Sequence, residues 1–107
     1  MPYTIGMFSF VESVSFTRTA ARYMGDAEQR RLQEALLENP RIGAVIPGSG
    51  GIRKMRWRVA GRGKRGGLRV IYWIDWEDTT ICMLTVYAKS EQEDIPLHLL
   101  RKIRERF

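Results

Sequence analysis

Across residues 8–16 the apolar side chains Phe8, Phe10, Val14 and Phe16 recur at nearly every second position, which predicts a strand. Residues 17–24 then carry Ala20, Ala21, Tyr23 and Met24, enough for a short helix that stops at Gly25. The clearest helix signal follows. Asp26 stands as N-cap, Gln29 closes a capping box three residues later, Glu28 lies in the first turn, and Leu32, Ala35 and Leu36 share one face. That stripe reads as core packing, and Asn39-Pro40 ends the helix. Ile42, Val45 and Ile46 are expected to tuck under the domain before a turn at Pro47-Gly48-Ser49-Gly50-Gly51. From Ile52 the period becomes two: Met55, Trp57 and Val59 point one way, and Lys54, Arg56 and Arg58 the other. Residues 61–67 read as a basic hairpin loop, and 68–76 as a second long strand. Glu77-Asp78 turns into 79–88, the most continuously apolar run, which belongs to a strand buried on both faces and central in its sheet. Pro96 opens a last helix with Leu100, Ile103 and Phe107 at helical spacing, packed back on the sheet. The order strand, helix, helix, strand, strand, strand, helix makes an α+β protein, a twisted antiparallel sheet with helices on one face.

At 107 residues the chain fits one domain, residues 1–107, with a single core. Its single cysteine, Cys82, lies inside an apolar run, cannot form an internal disulfide and suggests a reducing compartment. No stretch approaches the roughly 18 apolar residues of a membrane span, and the first sixteen residues make a poor secretory signal. A cytoplasmic location with no membrane partner is therefore expected. Charge sharpens the picture. The formal net charge is +6, and no acidic residue falls between Glu38 and Asp75, while Arg41, Arg53, Lys54, Arg56, Arg58, Arg62, Lys64, Arg65 and Arg69 all do. A patch of one sign attracts polyanions and gains affinity by releasing counterions from phosphates.

Alternation puts Lys54, Arg56 and Arg58 on one strand face, and an antiparallel hairpin brings Arg69 near Arg58 or Arg56. Like charges facing each other destabilise a sheet, so an anionic ligand is expected to be shared there. A solvated strand face is the bland reading, opposed by the absence of acids from both strands until Asp75. If the ligand is RNA, arginines suit the phosphate, and Lys54, crowded by like charges, is a candidate proton carrier. His98 sits beside leucines and reads as a surface or packing residue, and no His pair or Cys cluster has metal-ligand spacing. Of Trp57, Trp73, Trp76, Tyr72 and Tyr87, most are expected in the core, with one at most free to touch RNA. A DNA-binding regulator acting alone fits less well, because no helix carries the basic patch.

Three separated motifs together resemble the HigB-like branch of the RelE/ParE toxin superfamily, which also has phage-derived relatives. They are Pro47-Gly48-Ser49-Gly50-Gly51-Ile52-Arg53-Lys54-Met55-Arg56-Trp57, the glycines of 61–67 followed by Arg69-Val70-Ile71-Tyr72, and Val86-Tyr87-Ala88-Lys89-Ser90-Glu91-Gln92-Glu93-Asp94-Ile95. The resemblance runs from about Leu32 to the last residue. It implies a RelE-like fold and the toxin of a type II toxin-antitoxin system, an endoribonuclease that needs no cofactor and cuts messenger RNA in the ribosomal A site. It further implies a helix-turn-helix antitoxin as partner, contact with messenger and ribosomal RNA, and operator DNA only through the toxin-antitoxin complex. By position it implies catalytic roles for Lys54, Arg56, Arg69 and Lys89; the basic block itself puts Arg53, Arg58, Arg62, Lys64 and Arg65 on RNA or the ribosome. Where the best-studied RelE branch has a catalytic tyrosine this chain has Ile95, which leaves the general base open. Glu91, Glu93 and Asp94 are nearby candidates for acid or base, or caps of the final helix. A RelE-fold module that binds RNA or antitoxin without cleaving is the alternative.

Overall fold

The computed structural model describes residues 8–59, 67–92 and 94–107. Along the chain run β1 (Ser9–Glu12), α1 (Val14–Tyr23), α2 (Asp26–Glu38), β2 (Ala44–Val45), β3 (Arg53–Trp57), β4 (Leu68–Asp75), β5 (Thr80–Ala88) and α3 (Leu97–Arg104). The strands form one sheet in the order β1-β5-β4-β3-β2, antiparallel except for β1, which lies parallel to β5. The fold is α+β, as expected from the sequence. The mixed character of the sheet was not expected. A parallel neighbour needs a long connection, and here it runs through α1, α2 and the strands β2 to β4.

The strand predicted over 8–16 ends at Glu12 because Ser13 starts a helix. Its hydroxyl accepts the Phe16 N–H at 2.9 Å, and α1 turns Phe16 and Ala20 into the core. The same hydroxyl donates to the Leu84 carbonyl at 2.6 Å, Ser13 N–H bonds Met83 O at 3.0 Å, and Thr19 Oγ1 accepts the Val86 N–H at 3.1 Å. Past the end of β1, α1 thus satisfies the backbone edge of β5 that would otherwise lie unpaired. The capping box expected at Asp26 does not form. Asp26 is already helical, Gly25 occupies the cap position, and the Gln29 side chain donates back to Met24 O.

Two cores flank the sheet. Phe16, Ala20, Met24, Leu32 and Leu36 of the first two helices cover Met55, Leu68, Val70, Tyr72, Ile74, Ile81, Met83 and Val86. On the opposite face Ile52, Ile71, Leu84 and Tyr87 pack beneath Leu100 of α3. Helices therefore lie on both faces, two on one and α3 on the other. The reason is that β4 and β5 are apolar on both sides, and each side needs a cover. Phe107, expected to pack with Leu100 and Ile103, is 42% exposed. Ile42 and Val45, expected under the domain, are 48% and 47% exposed at the β2 edge.

Two polar devices fix α3. Arg101 donates to the Gly48 carbonyl, and Arg104 donates to Ser49 O at 3.1 Å and Gly50 O at 3.0 Å while lying over the Trp73 ring. Those carbonyls are presented by a loop in which Gly48, Gly50 and Gly51 adopt φ of 74°, 76° and 98°, values that glycine tolerates without strain. Ser49, fully buried, knots the loop by bonding both N–H and C=O of Ile52.

Candidate functional site

The register of β3 on β4 sets Arg56 directly opposite Arg69 and Lys54 opposite Ile71, and β4 on β5 sets Arg69 opposite Tyr87. With Met55 and Trp57 turned to the α1 and α2 layer, strand alternation puts Lys54, Arg56, Arg69 and Tyr87 on the α3 face. The two arginines that the sequence placed near each other are thus neighbours across the hairpin.

Arg69 is only 9% exposed. Among the described residues its single hydrogen bond is a long one, 3.4 Å, to the carbonyl of Leu68, and no carboxylate lies within ion-pair distance of it. Burying a guanidinium without a counter-ion is costly, and a second cation across the ladder adds to the cost. An anion seated between Arg56 and Arg69 would relieve both.

Beside the arginines lies a second cluster. Lys54 Nζ and Tyr87 Oη each sit 3.1 Å from the same oxygen of Asp94, Oδ1. The Lys54 hydrogen bond, and after it that of Tyr87, hold the Asp94 carboxyl below the usual carboxylate range, with the charge of Lys89 acting in the same direction. Burial pushes the Tyr87 phenol up to about 12, helped by its bond to Asp94, while the charge of Arg69 opposes the rise. Lys89, the first residue beyond β5, is exposed.

Of the predicted residues, Lys54, Arg56 and Arg69 therefore share one sheet face, Asp94 joins them through Lys54, and the charge of Lys89 acts on Asp94. The nearest partner of Lys54 is a carboxylate rather than the arginines expected to crowd it. Glu91 is drawn to the helix layer, where it accepts the Tyr23 hydroxyl at 2.5 Å. Arg53 points away and donates to Gly43 O at 2.7 Å, bracing the loop before β2. Arg58 is exposed just past β3. Glu93, Arg62, Lys64 and Arg65 fall outside the described residues. Tyr87 is the member that the sequence did not assign to the site. In a strand where nearly every position is apolar, alternation carries no signal for which face Tyr87 takes.

His98 is exposed, and among the described residues no three His, Cys, Asp or Glu side chains group as metal ligands. None of the described helices is long and apolar enough to cross a membrane. Trp76 is 49% exposed but lies beside Phe8 and under Arg41, whose guanidinium sits 4.6 Å from the ring.

No family model matches the chain. Solved structures do. A mutant of the E. coli toxin RelE in the free state aligns over 91% of this chain and 96% of that one, at 19% identity and a TM-score of 0.60. The intact E. coli RelBE toxin-antitoxin complex aligns over 76% and 95%, at 19% identity and 0.55. The archaeal RelE-RelB complex from Pyrococcus horikoshii OT3 aligns over 79% and 98%, at 20% identity and 0.51. Sheet order, helix placement and these alignments lead to one statement: the chain has the fold of the RelE toxins.

Proposed function

We propose that this chain is the toxin of a type II toxin-antitoxin pair, in the HigB-like branch, and that it cleaves messenger RNA in the ribosomal A site. The observation that carries the reading is the buried Arg69, which meets no carboxylate among the described residues, facing Arg56 beside a Lys54-Asp94-Tyr87 cluster. Arginine forks bind a phosphodiester through paired charge-assisted bonds and stabilise the charge that grows on its oxygens during attack. Asp94, ionised at neutral pH, takes the proton of the 2′-hydroxyl. The 2′-oxygen to phosphorus bond forms, the phosphorus to 5′-oxygen bond breaks, and Lys89 protonates the departing 5′-oxygen. The products are a 2′,3′-cyclic phosphate and a 5′-hydroxyl end. Lys54 holds Asp94 rather than carrying the proton itself. Arg58 and the basic residues of the 61–67 loop extend the cationic surface toward the message and ribosomal RNA.

The partner that silences such a toxin is a helix-turn-helix antitoxin, which also carries the pair to operator DNA. Its acidic or helical segments complement the cationic face. Induced synthesis of the chain should stop growth and protein synthesis, with message ends mapping to the A site. Arg69→Ala should lower cleavage on programmed ribosomes by about 10²-fold or more while the fold is retained. Full toxicity in a stably folded Arg69→Ala variant would remove the assignment. Uncut message on ribosomes that still bind the protein would identify a non-cleaving binding module.

A further inference from the structure

Tyr87 is 4% exposed, part of the core beneath α3, yet its hydroxyl emerges to meet Asp94 Oδ1. The Asp94 side chain is 78% exposed and lies between β5 and α3, outside either element. Two donors from two strands, Lys54 of β3 and Tyr87 of β5, share its Oδ1, and among the described residues nothing donates to Oδ2. An exposed carboxylate in an irregular segment has many orientations open to it. A lysine on a flexible four-carbon stem restricts them weakly, whereas a buried aromatic ring, with few rotamers and fixed packing, restricts them strongly.

Resting on the ribonuclease reading above, we infer that Tyr87 is the positioning residue of the site, anchoring Oδ1 of Asp94 so that Oδ2 is left to accept the proton of the substrate's 2′-hydroxyl. The phenol does this as a donor. Burial and the Asp94 charge keep it protonated well above neutral pH, so it does not act as the base. Among the described residues, the groups that act on Asp94 are Lys54 from β3, Tyr87 from β5 and Lys89 just beyond it, with Arg56 of β3 and Arg69 of β4 on the same sheet face. Glu91 is held by Tyr23 of α1, and His98 is exposed on α3.

Tyr87→Phe removes one oxygen and keeps the ring, and it is the variant to test. On programmed ribosomes under single-turnover conditions, the variant should cleave about tenfold more slowly with half-saturating concentration changed less than about twofold. Without the donor, the Asp94 carboxyl should titrate at higher pH, and the acid limb of the rate profile should move up with it. Carbon-13 titration of the Asp94 carboxyl by NMR, in the protein and in Tyr87→Phe, reads the same shift without any substrate. An unmoved Asp94 titration together with an unchanged acid limb overturns the role of Tyr87, even if Asp94→Asn and Arg69→Ala are inactive. Wild-type cleavage by both Asp94→Asn and Arg69→Ala overturns the ribonuclease site itself, and the role of Tyr87 with it.

Discussion

Cys82 illustrates how one residue type was assigned correctly by its neighbours. It lies 3% exposed between Ile81 and Met83, and burial, with the Asp75 charge adding to it, pushes its thiol up from 9.0 to about 11. The folded state favours the neutral thiol, so this contribution to stability is complete below about pH 9 and is lost as pH rises through about 11. Tyr87, raised from 10.0 to about 12, adds a second loss over a slightly higher window. Stability followed by urea denaturation should therefore decline between about pH 9 and 12, and Cys82→Ala should flatten the lower part of that decline. A thiol reagent at neutral pH should label the native protein at least about tenfold more slowly than the urea-unfolded chain. Rapid labelling of the native state would contradict the burial. Arg53 shows what strand position adds to residue type. Its type and its place in the basic block suggested RNA, but strand alternation aligns it with Met55 and Trp57, and its guanidinium is occupied by Gly43 O.

At the scale of elements, the junction of β1, α1 and β5 concentrates several roles in Ser13. Its hydroxyl caps α1 and also bonds the Leu84 carbonyl. Ser13→Ala should cost about 1–2 kcal/mol in chemical denaturation, more than a cap alone, because two backbone groups lose partners. A loss indistinguishable from zero would show that water replaces both bonds. This junction also marks where sequence reading failed. The apolar residues from Phe8 to Phe16 belong to two elements whose spacing happens to coincide, and only the serine between them separates strand from helix. By contrast β3 and α2 were legible, since an alternating cationic strand and a helix stripe ended by Asn39-Pro40 each have one period only. The face on which α3 packs was not legible. It depends on β4 and β5 being greasy on both sides, and periodicity carries no signal in a run where every position is apolar.

For the molecule as a whole, alternation puts Lys54 and Arg56 on one face and a hairpin brings Arg69 near, but the register that pairs Arg56 with Arg69, and the bond that draws Asp94 to Lys54, are not readable in the sequence. The role of Tyr87 needed coordinates. Its orientation depends on an irregularity in β5. Pairing with β4 runs Ile71↔Thr85 and then Tyr72↔Met83, so one extra residue enters β5 at Leu84 and Thr85. Ahead of it Ile81 and Met83 face α1 and α2, and after it Val86 and Ala88 do. The odd-numbered positions thus exchange layers midway along a single strand. A strand that kept the phase of Ile81 and Met83 would turn Tyr87 toward α1 and α2 and present Val86 and Ala88 to the arginines, whereas the extra residue sets Tyr87 on the α3 face. A single-residue phase slip in an otherwise featureless hydrophobic strand thereby decides whether this scaffold offers Asp94 a phenol or a blank wall.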